Sequence, residues 1–126
     1  MEEKENKLKL IPKTEKYIEY MLNVIIKLPR VEKFSIGNEY KTSMYKMLSN
    51  IMCIQKISNI DKIVDLLNMI DAELNLQRIY LRIMYKNRFI DKKKLEVSME
   101  LIYEIGKILG GLIKFYVKNS KRRNIW

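Results

Sequence analysis

The chain has 126 residues, of which 48% are hydrophobic, enough for one domain with a core and too few for two ordinary domains. Gly and Pro number only 4 and 2, so the turn residues of a many-stranded sheet are scarce and an all-α fold is favoured. The 25 Lys and Arg residues exceed the 15 Asp and Glu residues, and the net charge of +10 suits a polyanionic partner: a nucleic acid, an anionic membrane or an acidic protein.

A charged tail and a first helix are predicted at the beginning of the chain. Residues 1–13 mix Lys and Glu with little periodicity and include Pro12, so we expect a flexible N-terminal tail. From Thr14, a residue type favoured as an N-cap, apolar residues recur at steps of three and four, which is typical of an amphipathic helix. Pro29 ends this helix. Its predicted core stripe is Tyr17, Met21, Val24 and Leu28.

Three further amphipathic helices follow. The short connection Pro29–Phe34 leads to Ser35, the predicted N-cap of the second helix, which fades near Ser58. The third helix has Asp61 in its first turn and runs to about Lys86. The fourth follows a connection over residues 87–94. The residues predicted to face the core are Tyr40, Met44, Met47, Ile51 and Ile54, then Ile63, Leu67, Ile70, Leu74, Leu81 and Met84, then Leu95, Met99, Ile102, Ile105, Leu109, Leu112 and Tyr116.

Short connections between four helices of similar length favour antiparallel neighbours. The sequence therefore predicts one up-down-up-down four-helix bundle over residues 14–117, followed by a basic C-terminal tail over residues 118–126.

The third helix carries a second apolar row, rotated by roughly 100° from its core stripe. This is more apolar surface than the outer face of a monomer needs, and self-association would bury it; a wide core-facing arc is the alternative. The expected homo-oligomer interface is Leu66, Met69, Leu76, Tyr80 and Ile83.

Three glycines, Gly106, Gly110 and Gly111, lie inside the fourth helix. Each costs about 1 kcal/mol relative to Ala unless a contact compensates. We predict that they allow close packing of a neighbouring helix, within the chain or in another subunit. The nearby Lys107 and Lys114 argue against a dimer motif inside a membrane.

Positive charge is concentrated in the last part of the chain: residues from Arg78 onward include 13 basic and 4 acidic residues, a net charge of +9. In an up-down bundle the first and third connections also meet at one end. Both features predict a nucleic-acid-binding surface, although a basic helix face is often only solvated. The candidate residues are Lys27, Arg30, Lys33, Arg78, Arg82, Lys86, Arg88, Lys92, Lys93, Lys94, Lys107, Lys114, Lys118, Lys121, Arg122 and Arg123.

Within this set, Arg78, Arg82 and Lys86 recur at four-residue steps and predict a ladder along one helix face that could follow successive phosphates. In the tail, the ring of Trp126 could stack on an unpaired base.

Catalytic and metal chemistry find little support. The chain has no His and only one Cys, Cys53, so no catalytic triad, disulfide framework or zinc site is expected. The pairs Asp61/Asp65 and Glu100/Glu104 suit helix N-termini and solvated faces. No phosphate-binding glycine loop is present. We therefore expect no enzyme, cofactor, metal or small-molecule substrate.

The sequence also lacks features of export. The first residues do not form a secretory signal, and the apolar window Ile105–Val117 is too short to span a bilayer. A cytoplasmic protein with no membrane partner is expected.

Three segments are similar to signatures of a known family: 28–37 (LPRVEKFSIG), 74–82 (LNLQRIYLR) and 104–114 (EIGKILGGLIK). Together they resemble four-helix proteins that include the accessory variability determinant (Avd) of diversity-generating retroelements and proteins encoded within intervening sequences of large-subunit ribosomal RNA genes. The resemblance covers the chain from about Thr14 to Val117.

This resemblance implies a basic homopentameric barrel that binds RNA and DNA and associates with the retroelement reverse transcriptase, supporting mutagenic cDNA synthesis. The high positive charge favours this branch. The alternative is an oligomeric interaction protein of the intervening-sequence type, without a reverse-transcriptase partner.

Overall fold

The apolar stripes fold into long helices in a computed structural model that describes residues 2–120. The helices are α1 (Glu2–Ile26), α2 (Arg30–Lys33), α3 (Ile36–Ile54), α4 (Ile60–Lys86) and α5 (Lys92–Lys118). The four long helices form an antiparallel bundle in which α1 packs against α5 and, less extensively, α3, while α4 packs against both α3 and α5. The predicted all-α four-helix bundle is confirmed.

The core consists of the residues that the periodicity selects. All the predicted core residues of α1, α3 and α4 are buried, as are those of α5 from Ile102 onward, whereas Leu95 and Met99 are partly buried. This agreement follows from the helical repeat, which places residues three and four apart on one face.

The first helix begins at Glu2, so the expectations of a tail over residues 1–13 and of an N-cap at Thr14 are wrong. Leu10 is fully buried, and the Tyr116 hydroxyl donates a hydrogen bond to Glu3, joining the beginning of α1 to the end of α5. Burial and this carboxylate raise the pKa of Tyr116. Both contacts lie before Pro12, which lacks a backbone N–H, so they hold the part of α1 on the N-terminal side of this proline against the bundle.

The starts of α3 and α4 agree with the prediction, since Ser35 occupies the N-cap position and Asp61 lies in the first turn of α4, whereas α5 begins earlier than predicted. The hydroxyl of Ser35 donates to the Val31 carbonyl 3.2 Å away and does not cap α3. Asn59 caps α4 by accepting from the backbone N–H of Lys62 at 3.1 Å. Asp91 caps α5 in the same way, so this helix begins at Lys92, inside the predicted connection.

A buried polar network crosses the core and joins three helices. The Tyr17 hydroxyl of α1 donates to Gln77 Oε1 of α4 at 2.7 Å, and the Tyr40 hydroxyl of α3 hydrogen-bonds to Tyr17. Gln77 Nε2 donates to the Ser43 hydroxyl at 2.9 Å. The Ser43 hydroxyl in turn donates to Glu73 Oε1 at 2.8 Å. Burial raises the pKa of both tyrosines, so both hydroxyls keep their protons and remain donors.

Replacing Tyr17 with Phe tests this network. The change keeps the ring but leaves the buried Gln77 carbonyl without its donor, so we expect the free energy of unfolding to fall by about 1 to 3 kcal/mol. Urea denaturation measures the change. Tyr45→Phe is the matched control because Tyr45 is 48% exposed. Equal stability of Tyr17→Phe and the parent would show that the network contributes nothing.

Candidate nucleic-acid interface

One end of the bundle collects basic residues from the first and third connections. The antiparallel order brings residues 27–35 and 87–94 to this end, and the Ser98 hydroxyl near the start of α5 lies 3.3 Å from Met21 Sδ of α1. Within residues 27–35 and 87–94 the acidic residues are Glu32 and Asp91. We call this surface the cationic end; it consists of Lys27, Arg30, Lys33, Lys86, Arg88, Lys92, Lys93 and Lys94.

Most cations of this surface have no carboxylate partner. Within residues 2–120, its ion pairs join Lys92 to Glu96 at 3.9 Å and Lys94 to Asp91 at 3.6 Å. Both are pairs within one helical turn, which contribute little stability. Hydrogen bonds from the Lys94 backbone N–H hold the pKa of Asp91 below its usual value. The other six basic side chains form no ion pair there, so their charges are available to an anionic ligand.

The turn between α4 and α5 has an unusual geometry. Arg88 adopts the left-handed conformation with φ of 62°. The backbone N–H of Phe89 donates to the Met84 carbonyl at 2.8 Å, and that of Arg88 donates to the Tyr85 carbonyl at 3.0 Å. These two bonds form a Schellman motif, in which Gly normally occupies the left-handed position. Beside the turn lies an open cleft of about 530 Å³, lined by Tyr85, Lys86, Arg88, Phe89, Asp91 and Lys94.

The three residues of the predicted ladder do not share one environment. Arg82 and Lys86 are exposed, but Arg78 is partly buried between α4 and α5. Its guanidinium donates a hydrogen bond to Asn75 Oδ1. The guanidinium also lies so close to Gly106 that a Cβ at position 106 would be 2.8 Å from Arg78 Nη2. The structure therefore separates Arg78 from the two solvent-facing members.

The glycines of α5 have different surroundings. Gly106 leaves room for the Arg78 side chain, and a Cβ on Gly111 would make an ordinary 3.6 Å contact with Asn6. Gly110 is exposed, and a Cβ there would meet no atom of the described residues within 4 Å. Gly110 therefore packs against no helix of the described chain, and of the two alternatives predicted for it only a contact with another subunit remains.

The remaining predicted cations lie elsewhere. Lys107, Lys114 and Lys118 are exposed along α5, and Lys107 lines a cleft of about 450 Å³ with Lys9 and Lys13 of α1. The sequence interpretation missed these α1 lysines because it placed residues 1–13 in a tail. Lys121, Arg122, Arg123 and Trp126 lie outside the described residues, so the C-terminal tail remains a sequence prediction.

The predicted apolar row of α4 lies at the surface. Met69, Leu76 and Ile83 are exposed, and Leu66 and Tyr80 are partly buried. Ala72 and Ile79 are exposed at the intervening turns. We call the exposed series the α4 outer stripe: Met69, Ala72, Leu76, Ile79 and Ile83.

A second set of exposed apolar residues lies on α1 and α3. Its exposed residues are Leu8 and Ile26 of α1 and Tyr45 and Met52 of α3. We call it the α1–α3 surface. The chain thus exposes large apolar side chains on α4 and also on α1 and α3.

The described helices carry neither a metal-binding cluster nor a membrane span. No group of three or more metal-ligating side chains occurs within residues 2–120, where Cys53 is exposed. None of the helices described is both long and apolar enough to cross a membrane.

These observations define a basic, all-α antiparallel four-helix bundle. A family model described as bAvd-like matches residues 9–116, so the chain belongs to the bacterial Avd-like family, as the sequence signatures indicate. No curated protein matches the chain.

The different positions of Arg78 and Arg82 predict separable effects. Arg82→Ala should change the free energy of unfolding by less than about 0.5 kcal/mol and weaken RNA binding. Arg78→Ala should lower the unfolding free energy by about 1 kcal/mol, because its stem and guanidinium pack beside Gly106. Urea denaturation and filter binding measure the two effects. Equal stability losses in the two variants would contradict this distinction.

Proposed function

We propose that this protein is the nucleic-acid-binding accessory protein of a diversity-generating retroelement, which associates with the reverse transcriptase and template RNA to support mutagenic cDNA synthesis. Its membership of the Avd-like family supports the retroelement context. The observation that carries the proposal is the cationic end, where six basic side chains have no ion-pair partner within residues 2–120. The protein acts in the cytoplasm, beside the polymerase.

The chemistry required is binding without catalysis. Lys and Arg side chains contact phosphate oxygens whatever the base sequence, and displaced counterions provide much of the driving force. An accessory protein that holds template RNA near a polymerase therefore needs a dense cationic surface and no reactive group. Both RNA and DNA fit this surface because both present phosphates.

The first test removes charge from the cationic end. Lys33→Gln with Lys86→Gln should weaken RNA binding and reduce the slope of log affinity against log salt by roughly 0.7 for each phosphate of a single strand that is no longer neutralised. Lys56→Gln with Lys62→Gln is the matched control, because it removes two lysines near the opposite end. Filter binding across a salt series measures both.

Equal losses in the two double variants would show that net charge, and not the cationic end, determines affinity. The same variants also test the retroelement role: in reactions with the reverse transcriptase and its template RNA, the cationic-end variant should reduce cDNA yield and the control should not. Unchanged cDNA synthesis on omitting the protein would contradict the proposal.

We further propose that the protein works as a homo-oligomer. The α4 outer stripe and the α1–α3 surface differ in residues and lie on different helices, which suits a head-to-tail contact that closes into a ring. The family resemblance implies that this ring is a pentamer. Exposed Gly110 leaves space on α5 for a neighbouring subunit.

Charges in the α4 outer stripe test this assembly. Leu76→Glu with Ile79→Glu should dissociate the oligomer into monomers, because association would bury two carboxylates without partners. Light scattering measures the mass. Asn68→Glu is the control on the same helix, at an exposed polar position. An unchanged mass in the double variant would exclude the stripe as an interface.

The alternative function is an oligomeric interaction protein of the ribosomal RNA intervening-sequence type, without a reverse-transcriptase partner. The exposed apolar surfaces favour it equally, since they need a protein partner and no nucleic acid. RNA binding that is weak and insensitive to salt would support this alternative.

A further inference from the structure

The turn that follows α4 places an arginine where the backbone disfavours it. Arg88 has φ of 62°, and left-handed backbone is adopted easily by Gly and less readily by residues with a Cβ. The Schellman hydrogen bonds need this conformation but need no side chain. Folding alone would therefore favour Gly at position 88. A strained residue with an exposed charge points to a use for its side chain.

The cleft beside Arg88 combines charge with aromatic rings. Tyr85 is 39% exposed and lines the cleft together with the partly buried Phe89. Lys86 and Arg88 supply positive charge and form no ion pair within residues 2–120. Lys94 is partly neutralised by Asp91. A ligand that offered only phosphates would need only the cations of the cleft. The presence of aromatic rings beside them favours a ligand that also has a flat apolar face.

We propose that this cleft binds an unpaired base of a single-stranded nucleic acid, with the Tyr85 ring stacking on the base and Lys86 and Arg88 holding the flanking phosphates. Aromatic rings beside a positively charged groove are the usual means of binding single strands. A base inside a duplex is already stacked and paired, so it does not reach such a ring. The inference rests on the proposed function and narrows its ligand to single-stranded nucleic acid.

The test compares oligonucleotides that differ only in their bases. Fluorescence anisotropy is measured with a single-stranded RNA or DNA and with a strand of equal length and charge that contains abasic sites. Tyr85→Leu removes the ring and keeps an apolar side chain. It should weaken binding of the normal strand by roughly tenfold, corresponding to one base–aromatic stack, and leave binding of the abasic strand unchanged.

Two further variants serve as controls. Tyr85→Phe keeps the ring and should bind like the parent, so a loss equal to that of Tyr85→Leu would overturn the stacking role. Tyr103→Leu removes an exposed ring, 59% accessible, from the middle of α5 and should leave binding unchanged. Equal weakening of the normal and abasic strands by Tyr85→Leu would also overturn the proposal.

Replacing Arg88 with Gly separates strain from function. The variant relieves the left-handed backbone, so its urea midpoint should rise, while the lower charge should weaken single-strand binding several-fold. A higher midpoint with unchanged affinity would overturn the role of Arg88. If the parent protein bound these strands but Tyr85→Leu did not distinguish them, only the stacking inference would fall. Failure of the parent to bind any strand would defeat the proposed function as well.

Discussion

The hydroxyl of Tyr17 links three of the four long helices, and the geometry of the bundle depends on this link. Tyr17 belongs to α1 and bonds to Tyr40 of α3 and to Gln77 of α4, all three side chains being fully buried. Apolar contacts tolerate small shifts along a helix axis, whereas buried hydrogen bonds break when a helix moves by a fraction of a turn. The network therefore fixes the positions of α1, α3 and α4 relative to one another along the bundle axis. It thereby also fixes the positions of the connections at the cationic end.

Concentrating cations at one end opposes folding, because like charges repel and few carboxylates lie nearby. The bundle accommodates this repulsion by placing the lysines and arginines in connections and terminal turns, where water surrounds them. The Asp91 carboxylate serves as the N-cap of α5 and forms an ion pair with Lys94, and within residues 2–120 Lys86 and Arg88 have no carboxylate partner. Because Asp91 is needed to cap α5, its carboxylate does not neutralise the positive charges of Lys86 and Arg88 in the turn.

The sequence predicts well what depends on local periodicity and poorly what depends on distant contacts. Core residues such as Met44 and Leu67 repeat with the helix, so their burial could be predicted. The beginning of α1 could not, because a Lys- and Glu-rich segment with a proline is stabilised by Tyr116, 113 residues away from Glu3. The gathering of both basic connections at one end followed from the antiparallel order.

Side-chain environments were harder to predict. The spacing of Arg78 and Arg82 suggests one ladder on one helix face. The packing of α5 against α4 shows instead that the Arg78 side chain lies beside Gly106, whereas Arg82 is exposed to solvent. Likewise, the left-handed backbone at Arg88 carries no sequence signal, since a turn of this type is usually marked by Gly.

The α4 outer stripe and the cationic end occupy different parts of the molecule, and this separation affects how assembly and binding influence each other. The α4 outer stripe follows the side of a helix, whereas the cationic end lies at its tip. A ring built through the sides would bring the tips of neighbouring subunits together and add their positive potentials. A polyanion bound across several tips would offset that repulsion, so nucleic acid would stabilise the ring, and the ring would by linkage bind nucleic acid more tightly than a single subunit.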